Sequence, residues 1–307
     1  MSALFTALQV VLALVSVYFL YRLALWILFT DRIVTNDKGL VSEFASTVKL
    51  VDGVVDLKTT NNISYNTGNR TSDNYALMPV SVNRKGGAQF SYSFWLYATD
   101  VHAAMPPDGE LVLFLKGIND KFAINKGTSQ VTGGTRIVCP RVYLKSMDHG
   151  RPQLCIDYNV LRTPVHQTFV VDPVRNPDDT KRHNLMSLLP NNWVMITIVF
   201  MDNVPSQDFE DGMLIKVYVN DLLYDTKVDA KTGVRQNAGN FYVAPNAKAG
   251  TSTRLSDLVY CNYAMSDADI VRRYTRGPNL KAYAPNIQRN NNTLQLSEYN
   301  KLDIYNA

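Results

Sequence analysis

The chain has 307 residues, of which 46% are hydrophobic and 19% are charged, and its formal net charge is +4. This composition excludes a mainly disordered chain, a collagen-like chain and a small disulfide-dense protein. The net charge is too small for this length to indicate a nucleic-acid partner. The 3 cysteines cannot all pair with one another, and so few are typical of a protein kept in a reducing compartment.

The beginning of the chain, residues 1–32, predicts a membrane anchor. Residues 3–21 carry no charged side chain, and a helix of that length rises about 28 Å, close to the hydrocarbon thickness of a bilayer. A cleaved signal peptide or a buried core helix is less favoured, because no basic residue precedes the run and bulky residues follow it. The residues expected to face the membrane are Leu4, Phe5, Leu8, Val11, Leu12, Val15, Tyr18, Phe19, Tyr21 and Trp26.

Basic residues lie on only one side of the predicted anchor. Arg22 and Arg32 follow its first apolar run, Lys38 comes shortly after, and no Lys or Arg precedes it. The positive-inside rule then places the larger, C-terminal part of the chain in the cytosol. We therefore expect a single-pass membrane protein with its large domain on the cytosolic face.

The remainder of the chain has the two-residue period of strands rather than the period of helices. In residues 90–97, strongly apolar side chains occupy alternate positions, as in a strand with one buried face. Turn-forming residues separate this segment from further strand candidates. These candidates are residues 111–115, 136–144, 153–160, 194–200, 214–219 and 255–260.

One short helix is predicted from about Asp267 to Tyr274. Ser266 is a good N-cap for it, and Gly277 follows its end. Many short strands without an alternating strand–helix rhythm favour an all-β fold. We predict a two-sheet antiparallel jelly-roll sandwich, preceded by one N-terminal transmembrane helix.

We divide the chain into an anchor at residues 1–32, a loop-rich lead-in at residues 33–79, a sandwich domain at residues 80–280 and a polar arm at residues 281–307. The arm has little apolar periodicity, which is typical of a poorly ordered tail. The alternative is an extended arm that becomes ordered against a partner.

Several segments share the order and spacing of one known pattern. They comprise an aromatic-rich early strand, a strand that ends in Lys-Gly, a strand that starts at a Trp, a Tyr-Val-Asn hairpin and a closing strand with its helix. They are residues 90–96, 115–117, 192–200, 217–221 and 254–274. Together they resemble the concanavalin A-like lectin/glucanase superfamily, in its laminin-G-like branch, over about two-thirds of the chain.

This resemblance implies a jelly roll of two antiparallel sheets. It implies that Trp193 and Tyr218 fill the space between the sheets, as aromatic residues of sandwich cores do. The pattern identifies a scaffold and not an activity. The residues expected to define the core are Phe94, Trp95, Trp193, Tyr218 and Leu258.

No motif of an enzyme site is present in the sequence. The hydrolases of the superfamily carry their catalytic carboxylates on one strand as Glu-x-Asp-x-x-Glu, and this chain has no such run. The nearest strand acid, Asp157, is interpreted as a single solvent-facing residue. We therefore expect no catalytic residues, no cofactor and no metal centre.

One acidic loop is a less favoured candidate for a calcium site. Asp202, Asp208, Glu210 and Asp211 precede Gly212, and calcium prefers several oxygen ligands on a flexible loop. A solvated hairpin loop is the favoured interpretation. The 4 histidines are far apart in the sequence, which argues against zinc.

These features predict a non-catalytic structural protein that links a bilayer to a protein assembly. An anchor followed by a jelly roll and a polar arm resembles minor capsid proteins of large icosahedral DNA viruses that have an internal membrane. The expected partners are then the bilayer and neighbouring capsid or other structural proteins, and the expected location is the virion.

The alternative is a carbohydrate-binding or adhesion module displayed on a membrane, with a glycan as its partner. An unrecognised glycosidase ranks lowest.

Overall fold

The computed structural model describes most of the sandwich region and one short N-terminal stretch. The chain divides into two units, Met1–Ala45 and Ser46–Ala307. The described residues are 15–18, 47–57, 63–67, 75–79, 81, 88–99, 109–117, 138–146, 152–161, 166–171, 189–202, 212–229, 232–237, 239–245 and 253–283.

In the first unit, residues 15–18 are described, and they are helical. Val15 and Tyr18 belong to the set predicted to face the membrane, and both side chains are exposed. The rest of that set, and the rest of the predicted anchor, lie outside the described residues. Within the described part of the chain, no helix combines the length and apolar character needed to cross a membrane.

The second unit contains twelve described strands and one helix. The strands pair into two antiparallel sheets of six, with the orders β1-β12-β3-β8-β9-β10 and β2-β11-β4-β5-β6-β7. The elements are β1 (Thr47–Asp56), β2 (Ile63–Tyr65), β3 (Gln89–Ala98), β4 (Glu110–Gly117), β5 (Val138–Ser146), β6 (Pro152–Tyr158), β7 (Gln167–Val170), β8 (Trp193–Asp202), β9 (Met213–Val219), β10 (Leu222–Asp229), β11 (Asn240–Val243), β12 (Thr253–Cys261) and α1 (Asp267–Arg276).

The predicted all-β class with two antiparallel sheets is confirmed. The strand segments predicted from the sequence lie within or overlap β3, β4, β5, β6, β8, β9 and β12. The sequence did not predict β1, β2, β7, β10 and β11. Of these, β1 and β2 lie in residues 33–79, the predicted lead-in, yet each is paired into a sheet.

The main core lies between the two sheets, and Phe114 of β4 lies near its centre. Its ring centroid is 5.4 Å from that of Tyr92 and 5.3 Å from that of Phe94, both on β3 of the facing sheet. Phe241 of β11 also stacks on Tyr92, at 6.2 Å. All four side chains are fully buried. Because aromatic side chains bury large apolar areas, these contacts hold the sheets together.

A second apolar cluster covers the face of the first sheet that points away from the core, and α1 packs on it. The helix begins at the predicted N-cap, Ser266, which forms a capping box with Asp269, and it ends at Gly277. The ring of Tyr274 stacks on that of Trp95, with centroids 5.9 Å apart. The buried members of the cluster are Trp95, Met195, Val199, Tyr218, Cys261, Met265 and Ile270.

The structure places the predicted core residues in two different layers. Phe94 and Leu258 lie in the main core. Trp95 and Tyr218 are buried beneath α1, and Trp193 is partly buried at the margin of that second cluster. The expectation that Trp193 and Tyr218 fill the space between the sheets is therefore corrected. Neighbouring residues of a strand point to opposite faces, and the helix provides a second place where an aromatic side chain is buried.

Residues 279–283, which we call the strap, run beside the edge strand β1. Ala282 forms a parallel bridge with Val54. The N–H of Val54 donates to the carbonyl of Lys281 at 2.7 Å, and the N–H of Tyr283 donates to the carbonyl of Val54 at 3.1 Å. The strap thus covers part of an edge that would otherwise expose unpaired backbone groups.

Gly53 is required where the strap meets β1. It has a φ of 110°, and a Cβ atom at this position would lie 2.5 Å from the carbonyl oxygen of Lys281. Gly277 also has a positive φ, of 74°, but a Cβ atom there would meet nothing within 4 Å. The close approach of two backbones at Gly53 therefore depends on the absence of a side chain.

We predict that Phe94→Ala destabilises the sandwich by about 3–5 kcal/mol, because it leaves a cavity between the sheets. Trp193→Ala should cost clearly less, because that side chain is only partly buried. Denaturant unfolding of both variants measures the difference. Equal losses, or a larger loss for Trp193→Ala, would contradict the two-layer assignment.

Candidate functional site

A partly buried group of charged side chains lies on the second sheet. Along β5, Val142 and Leu144 belong to the main core, whereas Tyr143 belongs to a separate cluster on the other face. Arg141 and Lys145 share the side of Tyr143, because side chains alternate along a strand. We call Glu110, Arg141, Lys145 and Asp157 the charged cluster.

Arg141 joins the two acids of the charged cluster. Its Nη1 atom is 2.9 Å from Oδ2 of Asp157, and its Nη2 atom is 2.6 Å from Oε2 of Glu110. Lys145 adds a longer ion pair to Glu110, at 3.5 Å. The strand register creates these contacts, since Asp157 on β6 lies opposite Arg141 and Glu110 on β4 lies opposite Lys145.

Asp157 is deeply buried and accepts hydrogen bonds from several donors. Its exposed fraction is 2%. Besides the ion pair with Arg141, its Oδ1 atom accepts from the hydroxyl of Tyr143 at 3.1 Å and from that of Thr168 at 2.7 Å. His166 is more distant, with its Nε2 atom 4.0 Å from Oδ2. The interpretation of Asp157 as a single solvent-facing residue is therefore corrected.

In the charged cluster, Arg141 forms an ion pair with each acid, while its Nε atom is buried without a hydrogen-bond partner among the described residues. Burial by itself raises the pKa of Glu110. The hydrogen bond from Arg141 and the positive charges of Arg141 and Lys145 outweigh that effect, so the pKa of Glu110 lies below its ordinary value. Burial likewise opposes the charge on Arg141, and the two acids more than compensate, so its pKa is raised. A glycosidase needs one carboxyl group that stays protonated near neutral pH. Glu110 does not meet that requirement.

Sequence reasoning noticed Asp157 and missed its partners. The signal was the occurrence of Arg141 and Asp157 in two neighbouring predicted strands. Charged residues are rarely buried unless they are paired, so two opposite charges in adjacent strands favour an ion pair. The contribution of Glu110 was not visible, because it requires the register of a third strand.

Asp202, the first acid of the candidate calcium loop, has a role in the fold. Its two carboxylate oxygens accept from the backbone N–H groups of Ala88 and Val234, at 2.9 and 2.8 Å. Burial raises its pKa although these hydrogen bonds oppose the shift. The other three acids of the loop lie outside the described residues. Among the residues that are described, no group of three His, Cys, Asp or Glu side chains has the arrangement of a metal site.

Lys116, at the end of β4, is a second buried cation. Its Nζ atom donates to the backbone carbonyl of Asn237, and the Asn237 side-chain amide donates to the carbonyl of Lys116 at 3.2 Å. Burial lowers its pKa to about 8. This reciprocal contact fastens the segment before β11 to β4.

The three cysteines are free and buried. Burial raises the pKa of Cys139 to about 12 and that of Cys155 to about 11, and it also raises the pKa of Cys261. A thiol must ionise to act as a nucleophile or metal ligand. These side chains therefore behave as small apolar core residues.

Comparisons with known proteins find distant structural matches. A scan against models of protein families finds no match, and a search of curated protein sequences finds none. Among solved structures, the receptor-binding domain of botulinum neurotoxin D is 11% identical over 79% of this chain and 50% of that chain, with a TM-score of 0.38. The binding domain of Paraclostridial Mosquitocidal Protein 1 is 15% identical over the same shares, with a TM-score of 0.37. The chain thus spans half of each of these structures.

We predict that Glu110→Gln weakens the dependence of stability on acid pH. The pKa of Glu110 is lower in the folded than in the unfolded chain. Its contribution to stability is therefore present above the unfolded pKa and is lost as the pH falls through the folded pKa. Denaturant midpoints measured from neutral pH down to about pH 3 should fall less steeply for the variant. Asp221→Asn, which changes an exposed carboxylate at the β9–β10 turn, is the control. Parallel curves for Glu110→Gln and the unmodified protein would contradict the prediction.

Proposed function

We propose that this protein is a non-catalytic, membrane-anchored structural protein that joins a bilayer to a protein assembly. The observation that supports this best is the position of the first and last described residues of the sandwich. The first is Thr47, where β1 begins. The last described residue, Tyr283, is bonded to Val54, toward the other end of the same strand. Seven residues of a strand separate these points by about 20 Å.

This arrangement suits a linker. Residues 1–32 precede Thr47 and carry the apolar run expected of an anchor. Residues 284–307 follow Tyr283 and make up the part of the predicted arm (281–307) that lies beyond the strap. A domain whose first and last described residues lie at separate points along one strand suits a protein that connects two partners. We propose the bilayer and a neighbouring capsid protein as these partners, in the virion of a large DNA virus, with the sandwich on the cytosolic face.

For the sandwich itself we propose the concanavalin A-like jelly roll. Supporting observations are the two six-stranded antiparallel sheets and the pairing of the first strand with the last in one sheet. The two-residue turn between β9 and β10 further supports it, with Asn220 at a φ of 59°. The proposal that the domain is not an enzyme is supported by the charged cluster, in which Arg141 engages both acids.

We predict that the full-length protein floats with membranes in a density gradient and resists extraction by alkaline carbonate. Deletion of residues 1–32 should release it into the soluble fraction, because the apolar run is then missing. Deletion of residues 285–307 is the control and should leave membrane binding unchanged. A full-length chain that stays soluble without detergent would contradict the anchor.

We predict that deletion of residues 285–307 prevents incorporation into the assembly that the protein joins. The truncated chain keeps the strap, so the sandwich should unfold at the same denaturant concentration as the full-length protein. Co-purification with assembled particles measures incorporation. Normal incorporation of the truncated chain, together with specific glycan binding by the full-length protein, would favour a carbohydrate-binding module instead.

A further inference from the structure

We propose that the strap makes the sandwich a tension-bearing link, because it determines how a pull between the two ends of the domain is carried. This inference rests on the proposed function, in which one end of the domain is held by a bilayer and the other by an assembly.

Without the strap, the two ends of the domain would be neighbours. β1 and β12 pair antiparallel, with Thr47 opposite Cys261 and Asp56 opposite Arg254. The start of the first strand thus lies beside the end of the last strand. Hydrogen bonds of an antiparallel pair run across the strands. A pull on Thr47 against Cys261 would therefore open them one after another, starting at that end.

With the strap, the described part of the chain ends beside Val54, well along β1 from Thr47. The strap runs parallel to β1, and its bridge with Val54 lies toward the Asp56 end of that strand. A pull between Thr47 and Tyr283 is then directed along β1. In this direction the hydrogen bonds to β12 and to the strap resist together, since none can open before the strand slides as a whole.

Side chains fasten the strap to both neighbouring strands. The Asn279 side-chain amide donates to Oδ1 of Asp52 on β1 at 2.8 Å. The hydroxyl of Ser256 on β12 donates to the carbonyl of Asn279 at 2.6 Å. The hydroxyl of Tyr283 lies 3.2 Å from that of Tyr65 on β2, in the second sheet. The strap therefore contacts three strands and both sheets.

The helix that precedes the strap is also fastened to the first sheet. Arg273 of α1 donates from Nε to the hydroxyl of Ser93 on β3 at 2.9 Å, and its Nη2 atom is 2.8 Å from Oδ2 of Asp257 on β12. These partners are largely buried, and ion pairs shielded from water are screened less by salt. Tension that reaches α1 is thus passed to β3 and β12 and not to the loop after Cys261.

The test is single-molecule pulling of the full-length chain through engineered thiols. One pair, Ser46→Cys with Ala284→Cys, loads the domain through the strap. A second pair, Ser46→Cys with Ala264→Cys, applies the pull three residues after the end of β12 and ahead of α1, near the paired ends of β1 and β12, and bypasses the strap. The native cysteines are buried, so the engineered thiols are the ones that take the handles. We expect a higher unfolding force for the first pair.

Gly53→Ala provides the decisive comparison. The added Cβ atom would meet the carbonyl of Lys281 and displace the strap. When the Gly53→Ala variant is pulled through the strap, its unfolding force should fall to the value measured when the strap is bypassed. When it is pulled with the strap bypassed, its unfolding force should equal that of the unmodified domain. Gly277→Ala is the matched control, because it strains a glycine of positive φ without a new contact, and it should keep the force difference.

Tyr283→Pro is an independent variant if Gly53→Ala does not fold. It removes the N–H that bonds to Val54 and should also abolish the difference between the two geometries. Equal forces for the two geometries in the unmodified domain, or a difference that survives both variants, would overturn the inference. These measurements do not depend on membrane binding, so failure of the proposed anchor would be recognised separately by flotation.

Discussion

The pairing of β1 with β12 is the contact on which the arrangement of this protein depends. It closes the first sheet at one side and brings residues from the two ends of the sandwich sequence together. By itself it would leave the two chain ends side by side. The strap changes that outcome, because it runs along β1 and places Tyr283 beside Val54. A single glycine, Gly53, allows the close approach of the two backbones.

Part of the outer face of each sheet is buried, and the two sheets differ in how this is done. The first sheet places Trp95 and Tyr218 under α1, so that part of its outer face is apolar. The second sheet buries an ion network around Arg141 and Asp157. Buried charges are tolerated when each has a partner, and removing one partner is costly. The ion pairs of the charged cluster form in the observed register of β4, β5 and β6, which places Asp157 and Glu110 within reach of Arg141.

Several elements were predictable because their signals are local. The strand period marked β3, and Ser266 marked the start of α1 as its N-cap. Other strands were missed for physical reasons. β2, β7 and β11 have only three or four residues, too few to show a period. In β10, Asp225, Lys227 and Asp229 interrupt the apolar pattern, as charged residues often do on edge strands. β1 is interrupted by Gly53 and by register shifts against β12.

The sequence by itself determined the fold class and the position of the helix, because side-chain alternation and helix capping act between residues close in the chain. Only the tertiary structure decided that Trp193 lies outside the main core, that Asp157 is paired with Arg141, and that Gly53 faces Lys281. Each of these depends on which strands become neighbours and on which face a helix covers. Strand neighbours and the face that the helix covers are determined by burial over the whole domain, so they cannot be read from any short segment of the chain.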